Sequence, residues 1–258
     1  MKEDKTMIKL VITDVDDTIV EESSRNLNPQ YYDVISEFRK KGILFVVASG
    51  RQKPSIKKTF IPVKDEIIYL ADNGTDISAG DFETSMKFAD EDYQQLARDI
   101  KALESGYEIM ASKPDISFLE ESSTDFYDKM IHNYGYCVEK VADTSKLCDI
   151  CKVSLYNPAG ISKEVERKMK ERWSDKMDVC MAGEWYLDFT SKGANKGKAL
   201  SIIQEHYQIT PEETVAFGNA DNDISMIRKA KYSFAVANAS ENLKAAASET
   251  IGAMKEDA

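Results

Sequence analysis

The sequence predicts an α/β fold in which a doubly wound parallel sheet is interrupted by an inserted α+β module. Short apolar runs rich in β-branched residues alternate with helical patterns over residues 7–70. The run at residues 43–48 is apolar throughout, which is typical of a parallel strand covered on both faces. Between about residues 83 and 184 the pattern changes, and helices alternate with paired strands. These observations predict a sheet core at residues 1–82 and 185–258 and an inserted domain at residues 83–184.

The core elements before the insertion follow in a regular order. An apolar run at residues 7–12 predicts the first strand. Pro29 then opens a helical pattern that Gly42 closes. The strand at residues 43–48, a short helical segment and a strand at residues 66–70 complete the strand–helix alternation of a doubly wound sheet.

The insertion and the return to the core are predicted from the same signals. In the insertion we expect helices from Asp90, at 125–133 and at 162–173, and strands at 107–111, 116–119, 136–141, 151–156 and 177–181. The core sheet is expected to resume at residues 185–189. It continues with helices at 196–207 and 224–229, a strand at 214–217 and a last strand at 233–237.

Bulk composition limits the classes of partner. The 258 residues are 42% hydrophobic and 31% charged, as in an ordinary globular protein with a substantial core. The net charge of −11 argues against nucleic acid or an anionic membrane as a general partner. An anionic small substrate stays possible, because a bound metal can invert the field inside one cleft. No apolar run has membrane-spanning length, and no signal-peptide core follows residues 1–5, so we expect a cytoplasmic protein.

The four cysteines are most simply explained as buried reduced thiols. Cys148 and Cys151 form a CxxC pair, but a zinc site would need a second pair or histidines, and the chain has two histidines. A redox pair would need a thioredoxin-like context, whereas Cys151 leads into a predicted strand.

The first predicted strand ends in three carboxylates within four residues. Alternation along an extended chain places Asp14 and Asp16 on the same side, with Val15 facing away. Two carboxylates this close repel each other unless a cation or a proton lies between them. The pattern suggests a hard-metal site, with one carboxylate as nucleophile and the other as general acid and base. The alternative is a solvated turn, since Asp and Thr are ordinary turn and cap residues.

Polar residues follow other predicted strands, and the sheet topology is expected to bring them together. Ser49 ends the second strand, Lys196 opens a helix, and Asn219, Asn222 and Asp223 follow a later strand. Because the carboxyl ends of parallel strands share one edge, these groups can meet the first two aspartates. The set suits phosphoryl transfer, with a nucleophile, oxygen ligands for Mg²⁺ and donors for phosphate oxygens. Taken singly, each has an ordinary alternative, such as a solvated lysine, a helix cap or, for Asn73 and Gly74, a tight turn.

Four segments together resemble the signature motifs of the haloacid dehalogenase (HAD) superfamily. They are Asp14-Val15-Asp16-Asp17-Thr18, Ser49-Gly50-Arg51, Lys196-Gly197 and Gly218-Asn219-Ala220-Asp221-Asn222-Asp223. The layout is similar to the Cof-type phosphatases with a class IIB cap, in which an α+β cap lies between the second and third motifs. The resemblance covers essentially the whole chain. It implies a Rossmann-like core with an inserted cap domain.

The resemblance also implies catalytic roles. Asp14 would attack phosphorus, form an aspartyl-phosphate and bind Mg²⁺. Asp16 would act as general acid and base and lend its backbone carbonyl to the metal. Thr18 would hold the loop geometry, and Lys196 would pair with Asp14 and with the substrate phosphate.

Further residues would bind the substrate and complete the metal site. Ser49 and the Gly50 amide would bind phosphoryl oxygens, and Asn222 would contact the substrate phosphate. Asn219 and Asp223 would bind Mg²⁺ directly or through water. An amide at position 219, where the family commonly has Asp, removes one negative charge and should weaken metal affinity. The family also commonly has Gly where this chain has Asp17.

The function expected from this resemblance is a Mg²⁺-dependent phosphatase for a small phosphorylated metabolite, such as a sugar phosphate. Two alternatives stay open at this point. A phosphomutase would share the aspartyl-phosphate but return the phosphoryl group to a sugar. A catalytically weakened phosphate-binding regulatory protein is motivated by Asn219, although intact Asp14, Asp16 and Lys196 argue against it.

Overall fold

The computed structural model describes residues 7–21, 24, 26–104 and 106–253. The charged start at residues 1–5 lies outside the described residues. The chain divides into two compact units. The first comprises the chain up to Thr84 and from Asn195 onward, and the second is Ser85–Ala194.

The first unit begins with five strands and two helices. They are β1 (Leu10–Asp14), α1 (Gln30–Lys40), β2 (Leu44–Ala48), α2 (Lys53–Thr59), β3 (Ile67–Ala71), β4 (Asp76–Ser78) and β5 (Glu83–Ser85). Helix α1 ends where Gly42 adopts a φ of +71°, a left-handed conformation that glycine adopts without steric cost. The short antiparallel strand β4 was not predicted from the sequence.

The second unit follows, with three helices and six strands. They are α3 (Asp90–Lys101), β6 (Glu108–Lys113), β7 (Ile116–Glu120), α4 (Thr124–His132), β8 (Val138–Val141), β9 (Lys152–Tyr156), α5 (Lys163–Trp173), β10 (Met177–Met181) and β11 (Tyr186–Ser191). Helix α3 carries three acidic residues in its first turn and two basic residues in its last, which complements the helix dipole.

The chain then returns to the first unit. The remaining elements are α6 (Lys196–His206), β12 (Thr214–Gly218), α7 (Ile224–Ile227), β13 (Tyr232–Val236), α8 (Glu241–Ala246) and β14 (Glu249–Ile251). The strand predicted at residues 233–237 is therefore not the last, because β14 follows it.

The sheet of the first unit confirms the predicted α/β fold. Its strand order is β14-β13-β12-β1-β2-β3-β4-β5. The strands from β14 to β3 pair in parallel, and β4 pairs antiparallel to β3. Asp14 is in register with Ala48, so the residues that follow β1 and β2 leave the sheet side by side. Strand β12 flanks β1 on the other side, which brings the segment after Gly218 to the same edge.

The second unit is an α+β module with the strand order β10-β11-β9-β6-β7-β8, in which neighbouring strands pair antiparallel except for β7 and β8, which pair in parallel. Helices α3 and α5 pack Tyr93, Leu96 and Trp173 against one face of this sheet. Helix α4 packs Phe126 and Met130 with residues of the opposite face.

The predicted boundary between insertion and core is wrong by about ten residues. Residues 185–189, expected to resume the core sheet, lie in β11, which pairs with β9 and β10 of the second unit. Leu187 and Phe189 are fully buried in the second unit's core. An apolar strand satisfies either sheet equally well on pattern alone, so the sequence does not say which sheet it joins.

The cysteine prediction is only partly right. Cys151 is buried, and its thiol contacts the Ser112 carbonyl oxygen at 3.2 Å. Cys137, Cys148 and Cys180 are exposed rather than buried. Within the described ranges, no helix has the length and apolarity needed to cross a membrane.

Candidate active site

The side chain at the centre of the candidate site is Asp14, the last residue of β1, which is only 5% exposed. Its Oδ1 accepts a hydrogen bond from Lys196 Nζ at 2.5 Å, and its Oδ2 accepts one from Thr18 Oγ1 at 2.9 Å. The same ammonium donates to Asp223 Oδ1 at 2.6 Å. Three residues predicted from separate parts of the sequence thus form one buried ion cluster, and the alternative of a solvated Lys196 is wrong.

Local structure explains how Lys196 reaches this position. Asn195 caps α6 by accepting a hydrogen bond from the Lys198 amide at 2.9 Å, so Lys196 is the first residue of the helix. Gly197 lies against α7, where a Cβ atom would be 2.2 Å from the Ser225 carbonyl oxygen. Only glycine permits this close approach, which brings the start of α6 next to the segment that carries Asp223.

Burial and neighbouring charges shift the pKa values of Asp14 and Lys196. Burial, followed by repulsion from Asp223, raises the pKa of Asp14 to about 7, although Lys196 and Thr18 oppose the shift. Burial alone would lower the pKa of Lys196, but the two carboxylates outweigh it and hold that pKa above its ordinary value. The cluster therefore contains a charged lysine and more carboxylate than one ammonium neutralises.

Asp223 is fixed by the turn that begins after β12. Its Oδ2 accepts hydrogen bonds from the amides of Asn219 and Ala220, both at 3.0 Å. Gly218 leaves room for this carboxylate, because a Cβ atom there would lie 2.8 Å from it. The carbonyl oxygen of Asn219 accepts a hydrogen bond from the Ser240 amide at 2.8 Å. The contacts of Asn219 seen here are thus made by its backbone.

Asp16 is held separately from this cluster, by an arginine to which the sequence analysis gave no role. Arg51 Nε lies 3.0 Å from both carboxylate oxygens of Asp16, and its Nη2 also contacts Oδ1. Arg51 Nη1 donates to the Ser24 carbonyl oxygen at 2.9 Å. The buried Ser49 hydroxyl lies 3.5 Å from Asp16 and accepts the Arg51 amide at 3.0 Å. The Ser49-Gly50-Arg51 motif thus positions the second aspartate.

Asp17 occupies a backbone position that favours glycine. Its φ is +56°, in the left-handed region that Asp tolerates better than most side chains. Its carbonyl oxygen accepts a hydrogen bond from Asn238 Nδ2 at 2.8 Å. Asn238 is a further residue that the sequence analysis did not identify.

Two polar residues that precede Lys196 in the sequence do not bind its ammonium group. Asn195 is the α6 cap described above, and Asp188 lies in β11 of the second unit, bound to Lys152 and Ser154. The Asp221 carboxylate accepts hydrogen bonds from Ser240 Oγ at 2.5 Å and from Asn242 Nδ2 at 2.9 Å.

The residues that would hold Mg²⁺ fit a hard cation by their donor chemistry. Asp14 and Asp223 supply carboxylate oxygens, Asn219 an amide oxygen and Asp16 a backbone carbonyl, all oxygen donors of the kind that Mg²⁺ prefers. Repulsion between Asp14 and Asp223 is also what a cation would relieve. Over the part of the chain that the structure describes, no three His, Cys, Asp or Glu side chains are grouped to hold a metal. Amide and backbone oxygens would therefore have to complete the site.

Comparison with known proteins agrees with the motifs. A family model described as haloacid dehalogenase-like hydrolase matches residues 11–258. The chain is 26% identical to the Escherichia coli 5-amino-6-(5-phospho-D-ribitylamino)uracil phosphatase YbjI, over 95% of this chain and 91% of that protein. A crystal structure of a Eubacterium rectale protein superimposes with a TM-score of 0.90 and 31% identity, covering 97% of this chain and 96% of the other. The fold also matches a HAD subclass IIB sugar phosphatase, with a TM-score of 0.79, 22% identity and coverage of 96% and 95%.

The family match spans nearly the whole chain, and the fold has both the sheet core and the α+β insertion of subclass IIB. The chain therefore belongs to the haloacid dehalogenase-like hydrolases, in their Cof-type group, and is an enzyme of the phosphatase type.

Proposed function

We propose that this enzyme is a Mg²⁺-dependent phosphatase that hydrolyses a small phosphorylated metabolite through an aspartyl-phosphate on Asp14. The observation that carries the proposal is the buried cluster in which Lys196 joins Asp14 to Asp223 at 2.5 and 2.6 Å. A buried carboxylate beside a fixed ammonium is an oriented nucleophile, and the ammonium offsets the repulsion between the carboxylate and an incoming phosphate.

The reaction follows from the roles of two aspartates. A bond forms between an Asp14 carboxylate oxygen and phosphorus, the bond from phosphorus to the leaving-group oxygen breaks, and Asp16 gives that oxygen a proton. Water then attacks phosphorus and gives a proton to Asp16, which releases phosphate and restores Asp14. Arg51 orients Asp16, because its fork fixes the direction of the carboxylate.

The remaining assignments concern binding. Ser49, the Gly50 amide, Lys196 and Asn222 would bind the phosphoryl oxygens. When bound, Mg²⁺ would neutralise phosphate charge, and Asp14, the Asp16 carbonyl, Asn219 and Asp223 would hold it.

The substrate proposed is a small metabolite such as a sugar phosphate. The relatives named above support this class, since one acts on a phosphorylated ribityl compound and another is a sugar phosphatase. A cytoplasmic location stays a prediction.

The decisive experiment measures phosphate release from p-nitrophenyl phosphate by the full chain, with Mg²⁺ or with EDTA. We expect release that depends on Mg²⁺, a loss of at least about 10³-fold in Asp14→Asn, and a loss of about 10²–10⁴-fold in Asp16→Asn. Asp33→Asn, on an exposed residue of α1, is the control and should keep wild-type activity.

Three outcomes would reject the proposal. Substantial turnover by Asp14→Asn removes the nucleophile assignment. No hydrolysis of the aryl phosphate or of a panel of phosphorylated metabolites favours the weakened regulatory protein, and isomerised rather than dephosphorylated sugar identifies the phosphomutase.

A further inference from the structure

The turn after β3 has backbone geometry that the catalytic assignments above do not explain. Asp72, Asn73 and Gly74 have φ values of +49°, +59° and +91°, so three consecutive residues are left-handed. Two of them are not glycine, and such conformations persist where the surrounding structure enforces them, often at functional sites. The sequence alone suggested an ordinary tight turn here.

The turn contacts the second motif segment, the fourth, and the residue that precedes the third. The Asn73 amide donates to the Ser49 carbonyl oxygen at 2.9 Å, and the Asp72 amide donates to that of Arg51 at 3.0 Å. A Cβ atom at Gly74 would lie 2.8 Å from the carbonyl oxygen of Asn195, the residue that caps α6 before Lys196. The left-handed backbone thus places the turn directly against the second motif and the residue that precedes the third.

The Asn73 side chain completes this arrangement at the fourth motif. Its Oδ1 accepts a hydrogen bond from Asn222 Nδ2 at 3.0 Å. Its amide group also lies over Gly50, where a Cβ atom would be 3.4 Å from Oδ1. One side chain therefore touches both Gly50 and Asn222. These two residues follow the strands that flank β1 on either side, and both are assigned to the substrate phosphate.

We propose that Asn73 is a positioning residue that sets the Asn222 amide and the Gly50 loop in the geometry that receives the phosphoryl group; this rests on the proposed function. An exposed asparagine such as Asn222 has several rotamers in the absence of a partner. The bond to Asn73 selects one of them before substrate binds, and preorganised donors bind developing charge without reorganisation. Asparagine suits position 73 because it tolerates the left-handed backbone and supplies the accepting oxygen.

The test is a double-substitution cycle with Asn73→Gly, Asn222→Ala and the double variant. Glycine keeps the left-handed backbone and its amide bond to Ser49, so we expect Asn73→Gly to fold. Gln208→Gly is the matched control, since Gln208 is left-handed (φ +54°) and exposed in the same unit. Each protein is assayed for kcat/KM on p-nitrophenyl phosphate and for competitive inhibition by inorganic phosphate.

We expect Asn73→Gly and Asn222→Ala each to lower kcat/KM about 10–100-fold and to weaken inhibition by phosphate to a similar degree. The double variant should lose less than the product of the two single losses, because part of the effect of Asn73 passes through Asn222. Gln208→Gly should match the wild type.

Full additivity of the two losses, or wild-type phosphate inhibition in Asn73→Gly, would overturn the proposal. If Asn73→Gly does not fold, wild-type phosphate inhibition in Asn222→Ala alone overturns it. Failure of the proposed function is distinguishable, because the wild-type protein would then release no phosphate.

Discussion

Lys196 of the first unit and Lys101 of the second each lie between two carboxylates, and the two clusters behave in opposite ways. In the first unit Lys196 joins Asp14 and Asp223, and all three side chains are at most 7% exposed. In the second unit Lys101 contacts Glu120 and lies 2.5 Å from Asp143, and these side chains are 25–32% exposed. Each cluster has one ammonium group and two carboxylates, so the difference in their behaviour comes from burial.

The pKa directions express this difference. Burial and Asp223 raise the pKa of Asp14 to about 7. Hydrogen bonds from Lys101 and Ser145 hold the pKa of Asp143 well below its ordinary value. At the surface, water solvates the second carboxylate and one ammonium is sufficient. In the buried cluster no water solvates the second carboxylate. Such a site favours the binding of a cation and the use of a carboxylate as nucleophile.

The strongest test of this comparison removes the buried lysine. Lys196→Met should abolish turnover and lower the free energy of unfolding by about 3–5 kcal/mol, because it leaves Asp14 and Asp223 buried without a counter-charge. Urea unfolding with a parallel phosphatase assay measures both effects. Lys198→Met, two residues along α6 and exposed, is the control and should change neither. An unfolding midpoint equal to that of the wild type would mean that the cluster is not held by Lys196.

The second test asks whether the Asp14 carboxylate lowers the free energy of unfolding. Its raised pKa means that the folded state disfavours the ionised carboxylate, so the cost in stability is absent below about pH 4, grows between pH 4 and 7, and stays constant at higher pH. In EDTA, Asn at position 14 should therefore raise the free energy of unfolding at pH 8 by on the order of 1 kcal/mol, with a smaller gain at pH 5. Urea titrations at the two pH values measure this. A less stable Asp14→Asn at pH 8 would make Asp14 a structural ion-pair partner instead.

The sequence predicted this buried cluster because of a topological rule. Asp14 and the segment at 219–223 each follow a strand of one parallel sheet, and such strands end at one edge. Lys196 was predicted for the same edge because it opens a helix. None of this required knowledge of a contact between side chains.

Other features depended on contacts that a linear pattern does not contain. The residues of β11 alternate suitably for either sheet, and only the pairing with β9 and β10 decides. The bond from Arg51 to Asp16 joins side chains 35 residues apart. The left-handed backbone at Asp17 and Asn73 is compatible with Asp and Asn but is not demanded by them.

The smallest expected effect is at the exposed cluster of the second unit. Lys101→Met should lower the thermal midpoint only slightly at pH 7, because exposed ion pairs contribute little. The contribution of Asp143 to stability nevertheless changes with pH in the opposite direction to that of Asp14. The depressed pKa of Asp143 stabilises the fold above the ordinary carboxyl pKa of about 4, and this contribution is lost as the pH falls further. The gap between wild type and Lys101→Met should therefore close below pH 4 in thermal scans, and high salt should narrow it at pH 7. A difference in thermal midpoint that persists in acid would show that Lys101 acts through the packing of its alkyl chain. The contrast between the two clusters could then not be explained by the burial of their charges.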